Sequence, residues 1–232
     1  MKLKMSKEVD LGKEPIGHLL FVLAVPSIIS QVVNALYNMV DRMYIGHIPG
    51  IGAAALTGVG LFAPLLMLIN AFAMLSGSGG APRAAIFMGK KDNETAEKIM
   101  ANCFSLILIF AVGLTVLFSI FAPKLLRLFG ASDATLPYAV EYARIYIFGS
   151  IFVLIVLGMN LFITTQGFTK ISMMTTLIGA IINVILDPIF IFVLDMGVRG
   201  AEIATVLSQA VGAIWVLRFL TGEKTILKLK LS

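Results

Sequence analysis

Four polar side chains interrupt the first apolar stretch of the sequence, Gln31, Asn34, Asn38 and Asp41, at steps of three, four and three. Steps of that size return to one side of an α-helix, so the spacing predicts a polar stripe ending in a carboxylate. A second set follows much later. Asn183 and Asp187 are four apart, with Gly179 and Thr176 one and two turns earlier and Pro188 directly after. Ala201, Thr205, Ser208 and Gly212 then form a small, hydroxylated face that allows close helix approach and offers oxygen ligands. Tyr142, Tyr146, Gly149 and Asn160 lie in between. Carboxylates and amides in apolar surroundings exchange protons or hold cations, because an acid at mid-membrane costs about 2.5–3.5 kcal/mol on insertion scales and is retained only for a use.

The elements that carry these residues follow from hydropathy. The 232 residues are 59% hydrophobic and 13% charged, with a mean hydropathy of +0.97. Soluble domains carry about twice that share of charge. The composition excludes a disordered chain, a nucleic-acid-binding domain and an ordinary cytosolic enzyme. A helix crossing a bilayer needs about 20 mostly apolar residues. Reading the uncharged intervals predicts six helices, at about 16–45, 53–80, 97–121, 136–164, 172–194 and 199–220. They form an all-α integral membrane unit over 15–221, with a polar segment 1–14 before it and a tail 222–232 after it. Thirteen Lys and Arg fall in the connections on one side and five on the other. That asymmetry predicts a multi-pass protein of the cell membrane with both termini cytoplasmic.

Other readings of single residues stand beside these. Gln31 and Asn38 serve equally well as interhelical glue, and Asp41 as the partner of Arg42. Glu141, Arg144 and Glu202 fall near the ends of apolar stretches and read as snorkelling or pairing residues. Pro26 removes one backbone hydrogen bond and kinks the first helix. Asn93-Glu94-Thr95 has the form of a glycosylation sequon but reads as the polar start of a helix. His18 and His47 have no second ligand at metal spacing, and Cys103 has no cysteine to pair with. Gly-rich phosphate loops, dinucleotide fingerprints and Gly-x-Ser-x-Gly elbows are all missing. No enzyme and no organic cofactor are expected.

Several of these residues carry a family resemblance. They are Pro26 and Asp41, within Leu36-Tyr37-Asn38-Met39-Val40-Asp41, then Ala54-Ala55-Leu56-Thr57-Gly58 and the Gly79-Gly80 to Gly89-Lys90-Lys91-Asp92 connection. Gln166-Gly167, Asn183-x3-Asp187-Pro188 and Gly200-Ala201-x2-Ala204-Thr205 complete the set. In order and spacing the chain resembles the multidrug and toxic compound extrusion (MATE) family, with the flavour of its small bacterial multidrug exporters. The resemblance implies an antiporter that expels cationic or amphipathic compounds in exchange for H+ or Na+. It implies coupling-ion positions at Asp41, Asn183, Asp187 and Thr205, the oxygens that would also ligate Na+. Cavity and gating positions follow at Pro26, Gln31, Asn34, Tyr37, Asn38, Tyr142 and Asn160.

Family members have twelve helices in two lobes related as parallel repeats, and this chain matches one lobe. A fragment, or a half-transporter pairing with a second copy of itself, both remain open at this point. The implied partners are the bilayer, the exported molecules and a second six-helix lobe, with no nucleic acid. A flippase for lipid-linked sugars is the neighbouring reading, disfavoured because phosphate headgroups call for basic cavity residues. A non-transporting membrane interaction module is the third. On the first reading Asp41 and Asp187 face a common cavity, and their gain and loss of charge bends the Pro26 helix.

Overall fold

A computed structural model describes residues 15–230. The segment 1–14, with Lys2, Lys4, Lys7 and Lys13, lies outside the described residues, as do the last two of the tail. Six helices are long and apolar enough to cross a bilayer, and no strand occurs among the described residues. The fold is all-α, as hydropathy predicts.

The first span is α1, Ile16–Gly46. The second is two helices, α2 (Gly52–Gly60) and α3 (Ala63–Gly89). Pro64 has no N–H to give the Gly60 carbonyl, and glycines at 58 and 60 weaken the turn before it. The helix therefore breaks at Leu61 and Phe62, where Phe62 N–H turns to the Val59 carbonyl at 3.1 Å. Counting apolar residues does not reveal this break.

The third span, α4, runs Asn93–Leu128. Asp92 caps it by accepting from Thr95 N–H at 3.1 Å. The Thr95 hydroxyl and N–H together hold the Asp92 carboxyl below the usual carboxylate range. The sequon is thus the first turn of a helix. The fourth and fifth spans begin with α5 (Leu136–Thr165) and α6 (Thr169–Pro188), which passes into a π-helical turn at Ile189–Val193. The sixth, α7, is Gly197–Leu220.

α5 is the centre of the lobe. It packs against α2, α3, α4, α6 and α7, while α6 joins α7 to α1. The core around it includes Phe62, Leu65, Ile69, Met100, Ile107, Phe118, Leu154 and Phe162, all essentially inaccessible. Backbones come very close at the α3–α5 crossing. A Cβ on Gly77 would lie 2.7 Å from the Gly158 carbonyl oxygen, so only glycine fits. α1 is the least enclosed helix, with Phe21, Ile28, Leu36 and Met43 exposed. Such faces suit lipid or a further membrane-embedded surface.

Pro26 leaves the Val22 carbonyl without its helical donor. Thr169, at the start of α6, donates its hydroxyl to that carbonyl at 3.3 Å. The proline defect is therefore pinned to a neighbouring helix. Thr169→Val in the native-length protein is expected to cost about 1 kcal/mol, lowering the thermal midpoint by about 1–2 °C. Thr169→Ser keeps the hydroxyl and should leave the midpoint in place. Equal losses in both variants would mean that shape, not the hydrogen bond, matters there.

The tail is part of the fold. Thr225, Leu227 and Leu229 are buried. The Gln166 side-chain oxygen accepts from the Thr225 hydroxyl at 2.8 Å and Leu227 N–H at 2.7 Å, while its amide donates to Phe162 O at 3.0 Å. Glu97 accepts from Lys228 N–H at 2.9 Å and pairs with Lys230 at 2.7 Å. This strap ties the ends of α4, α5 and α7 together.

Candidate functional site

Asn183 and Asp187 face the seam between α6 and its neighbours, and both are fully buried. The Asn183 amide donates to Asp187 Oδ1 at 3.0 Å and to Thr205 Oγ1 of α7 at 3.2 Å. Three of the four predicted coupling positions are thereby one hydrogen-bonded cluster. Asp187 Oδ2 and Asn183 Oδ1 remain buried without a hydrogen-bond partner. Among the described residues nothing pairs with these two oxygens, a costly state unless a proton or cation completes them.

The fourth, Asp41, comes from α1 and is 9% exposed, with Oδ1 unpartnered. It lies within electrostatic reach of Asp187. Arg42 acts on Asp41 through its charge but forms no ion pair with it among the described residues, so a plain interfacial salt bridge does not account for Asp41. Asp41 on α1 and Asp187 on α6 are both buried, on helices that pack against each other. Two concavities on the flank of α5, one with Glu141, Arg144 and Arg199 and one with Arg144, Phe118 and Phe148, lie apart from the cluster.

The α1 stripe divides. At 100° per residue, steps of three, four and three drift through about 80° of arc, and the buried sector takes only one edge of it. Pro26 and Asp41 are buried and Tyr37 is half-buried. Gln31, Asn34 and Asn38 point outward, with the Asn38 amide turned back to the Asn34 carbonyl at 2.7 Å. The expectation that all four share the Asp41 face is corrected accordingly.

Asn160 sits elsewhere too. Its amide donates to Ser172 O at 3.3 Å and its oxygen accepts from Thr175 at 3.2 Å, joining α5 to α6 as an interhelical clasp. Tyr142 stacks on Tyr146 with centroids 6.3 Å apart, and Phe62 meets each ring edge-on at 5.4 Å. The break between α2 and α3 thus delivers Phe62 onto these tyrosines.

Glu202 is the residue the sequence reading misplaced. Read as an interfacial snorkelling group, it is completely buried, with both carboxylate oxygens unpartnered. α7 begins at Gly197, so Glu202 lies a turn and a half inside the helix. Asp41 stands equally far from the end of α1 at Gly46. Residue counting from the helix ends gives the two acids one depth, about 7–8 Å in, and that was the available signal. Glu141, by contrast, pairs with Arg199, as predicted for an interfacial acid.

Comparison with known proteins follows the same features. A FAD transporter from Shewanella oneidensis is 27% identical over 211 residues, 89% of this chain and 46% of that protein. The probable multidrug resistance protein YoeA of Bacillus subtilis is 26% identical over 204 residues, 86% of this chain and 44% of that one. A crystal structure of MATE in the bent conformation superposes with a TM-score of 0.89 at 30% identity, over 98% of this chain and 50% of the other. The chain spans about half the length of the relatives it matches. The MatE family profile covers residues 26–189, from the proline of α1 through Asp41 to the Asn183–Asp187 pair, and the chain belongs to the MatE family of MATE transporters.

Proposed function

We propose that this lobe belongs to a cation-coupled antiporter of the cell membrane, driven by H+ or Na+, that exports cationic or amphipathic compounds. The observation that carries the reading is the Asn183–Asp187–Thr205 cluster, with Asp41 in electrostatic reach and two oxygens left open. Neutralising Asp187 weakens its hold on the Asn183 amide and with it the clasp from α6 to α7. α1, seated on α6 and pinned at Val22, then shifts about Pro26, and a bound organic cation loses its counter-charge. The basic-residue asymmetry supports an orientation with both termini in the cytoplasm. A second lobe, from a longer chain or a second copy, supplies the opposite wall.

The FAD transporter among the relatives favours a second reading, an anionic cargo. The buried acids weigh against it, since phosphate groups are held by Arg and Lys. Flux of a monovalent organic cation and of FAD, measured in liposomes containing the native-length protein under an imposed pH or Na+ gradient, separates the two. Gradient-driven movement of the organic cation is the expected result. Movement of FAD alone, or organic-cation flux indifferent to both gradients, would overturn the proposal.

A further inference from the structure

Glu202 has no role in the cluster just described. It shares no hydrogen bond with Asp41, Asn183, Asp187 or Thr205, and it is more completely enclosed than Asp41. Its surroundings are aromatic and acidic. The Tyr142 hydroxyl of α5 faces the carboxylate without closing a hydrogen bond of ordinary geometry. Tyr146 of α5 and Tyr37 of α1 stand within electrostatic reach, as do Asp41 of α1 and Asp187 of α6. Among the described residues, no Lys or Arg is one of these neighbours. The basic residue one turn earlier on α7, Arg199, is engaged by Glu141.

We propose that Glu202 is a proton-carrying carboxyl in its own right, seated between α5 and α7 against Tyr142 and Tyr146 and separate from the Asn183–Asp187–Thr205 cluster. A lone carboxylate in a dry seam, with two further acids nearby and no cation, is a charge without compensation. With a proton it becomes an O–H donor that also accepts, and the Tyr142 hydroxyl complements both functions. The proton comes from the aqueous phase and returns to it, so nothing else is consumed. A metal ion needs a shell of several ligands, and no group of three or more His, Cys, Asp or Glu side chains that could hold one is found among the described residues. The lobe therefore takes up two protons, one at the α6 cluster and one at Glu202. This rests on the reading of the lobe as ion-coupled.

The test is pH-difference infrared spectroscopy of the native-length protein in lipid, following the carboxylic-acid carbonyl bands. Glu202→Gln keeps the volume and is expected to remove one band while Asp187→Asn removes another. Retention of every band in Glu202→Gln overturns the proposal and leaves the coupling role of Asp187 untouched. Intact gradient-driven efflux in Asp187→Asn, with the Glu202 band still lost in Glu202→Gln, would instead sink the coupling reading and keep this site. Tyr142→Phe leaves the acid in place and removes its neighbouring hydroxyl. It is expected to shift the frequency of the Glu202 band, and it decides the matter should Glu202→Gln fail to fold; a band that does not move overturns the proposal.

Discussion

Asp187→Asn in the native-length protein is expected to reduce ion-driven efflux to background while the protein still reaches the membrane folded. The side-chain oxygen of asparagine still accepts from the Asn183 amide, which now donates to Asp187 Oδ1 at 3.0 Å and to Thr205 at 3.2 Å. The α6–α7 clasp therefore persists, in the weakened form that a neutral Asp187 also gives. What disappears is the charge, and with it the ability to alternate between two states according to the coupling ion. A coupling free energy of about 1–3 kcal/mol corresponds to roughly 5–150-fold between sites, and removing the group that carries it removes the whole factor. Binding of an organic cation should persist with lower affinity and lose its dependence on the driving ion. Gradient-driven transport in vesicles and equilibrium binding with and without the driving ion separate these effects. Efflux that still follows the gradient would take the coupling role away from Asp187.

The same cluster marks how far the sequence could be read. Asn183, Asp187 and Thr205 were legible because a step of four within α6 fixes relative direction, and a small-residue face on α7 indicates close approach. Longer steps lost the phase. The α1 stripe extends over ten residues, enough drift to turn Gln31 away from the face that buries Asp41. Glu202 reads as a snorkelling or pairing residue because it falls near the end of an apolar stretch, yet the ion pair at that end of α7 joins Arg199 to Glu141 across the helix seam, and contacts between helices leave no mark in local composition. The break at Leu61–Phe62 hid inside an unbroken apolar interval, since hydropathy measures burial in lipid and not helix continuity. The strap carries a signal of its own. Thr225, Leu227 and Leu229 alternate with exposed residues, the period of an extended segment with one face buried.

Gly149 gives the test of the packing on which both acidic sites depend. A Cβ built there would lie 2.3 Å and 2.7 Å from the two methyls of Val206 and 3.1 Å from its Cβ. Valine is stiff at χ1, so it cannot swing clear, and α5 and α7 must separate. Glu202 is one turn before Val206, and Thr205 is next to it; separation there pulls both from their places. Gly149→Leu is expected to cost more than about 3 kcal/mol, the upper range for overpacking, and to abolish accumulation of folded protein. Gly149→Ala isolates the cause. Alanine improves helix propensity by about 1 kcal/mol, so simple propensity predicts stabilisation, whereas the clash predicts a net loss of about 1–2 kcal/mol. Val206→Ala removes the offending methyls, so in that background Gly149→Ala should no longer destabilise and should keep up to about 1 kcal/mol of its propensity gain, the signature of a coupled pair. Thermal midpoints of the four proteins complete the cycle. Additive losses would mean that Gly149 and Val206 do not set the distance between the two helices.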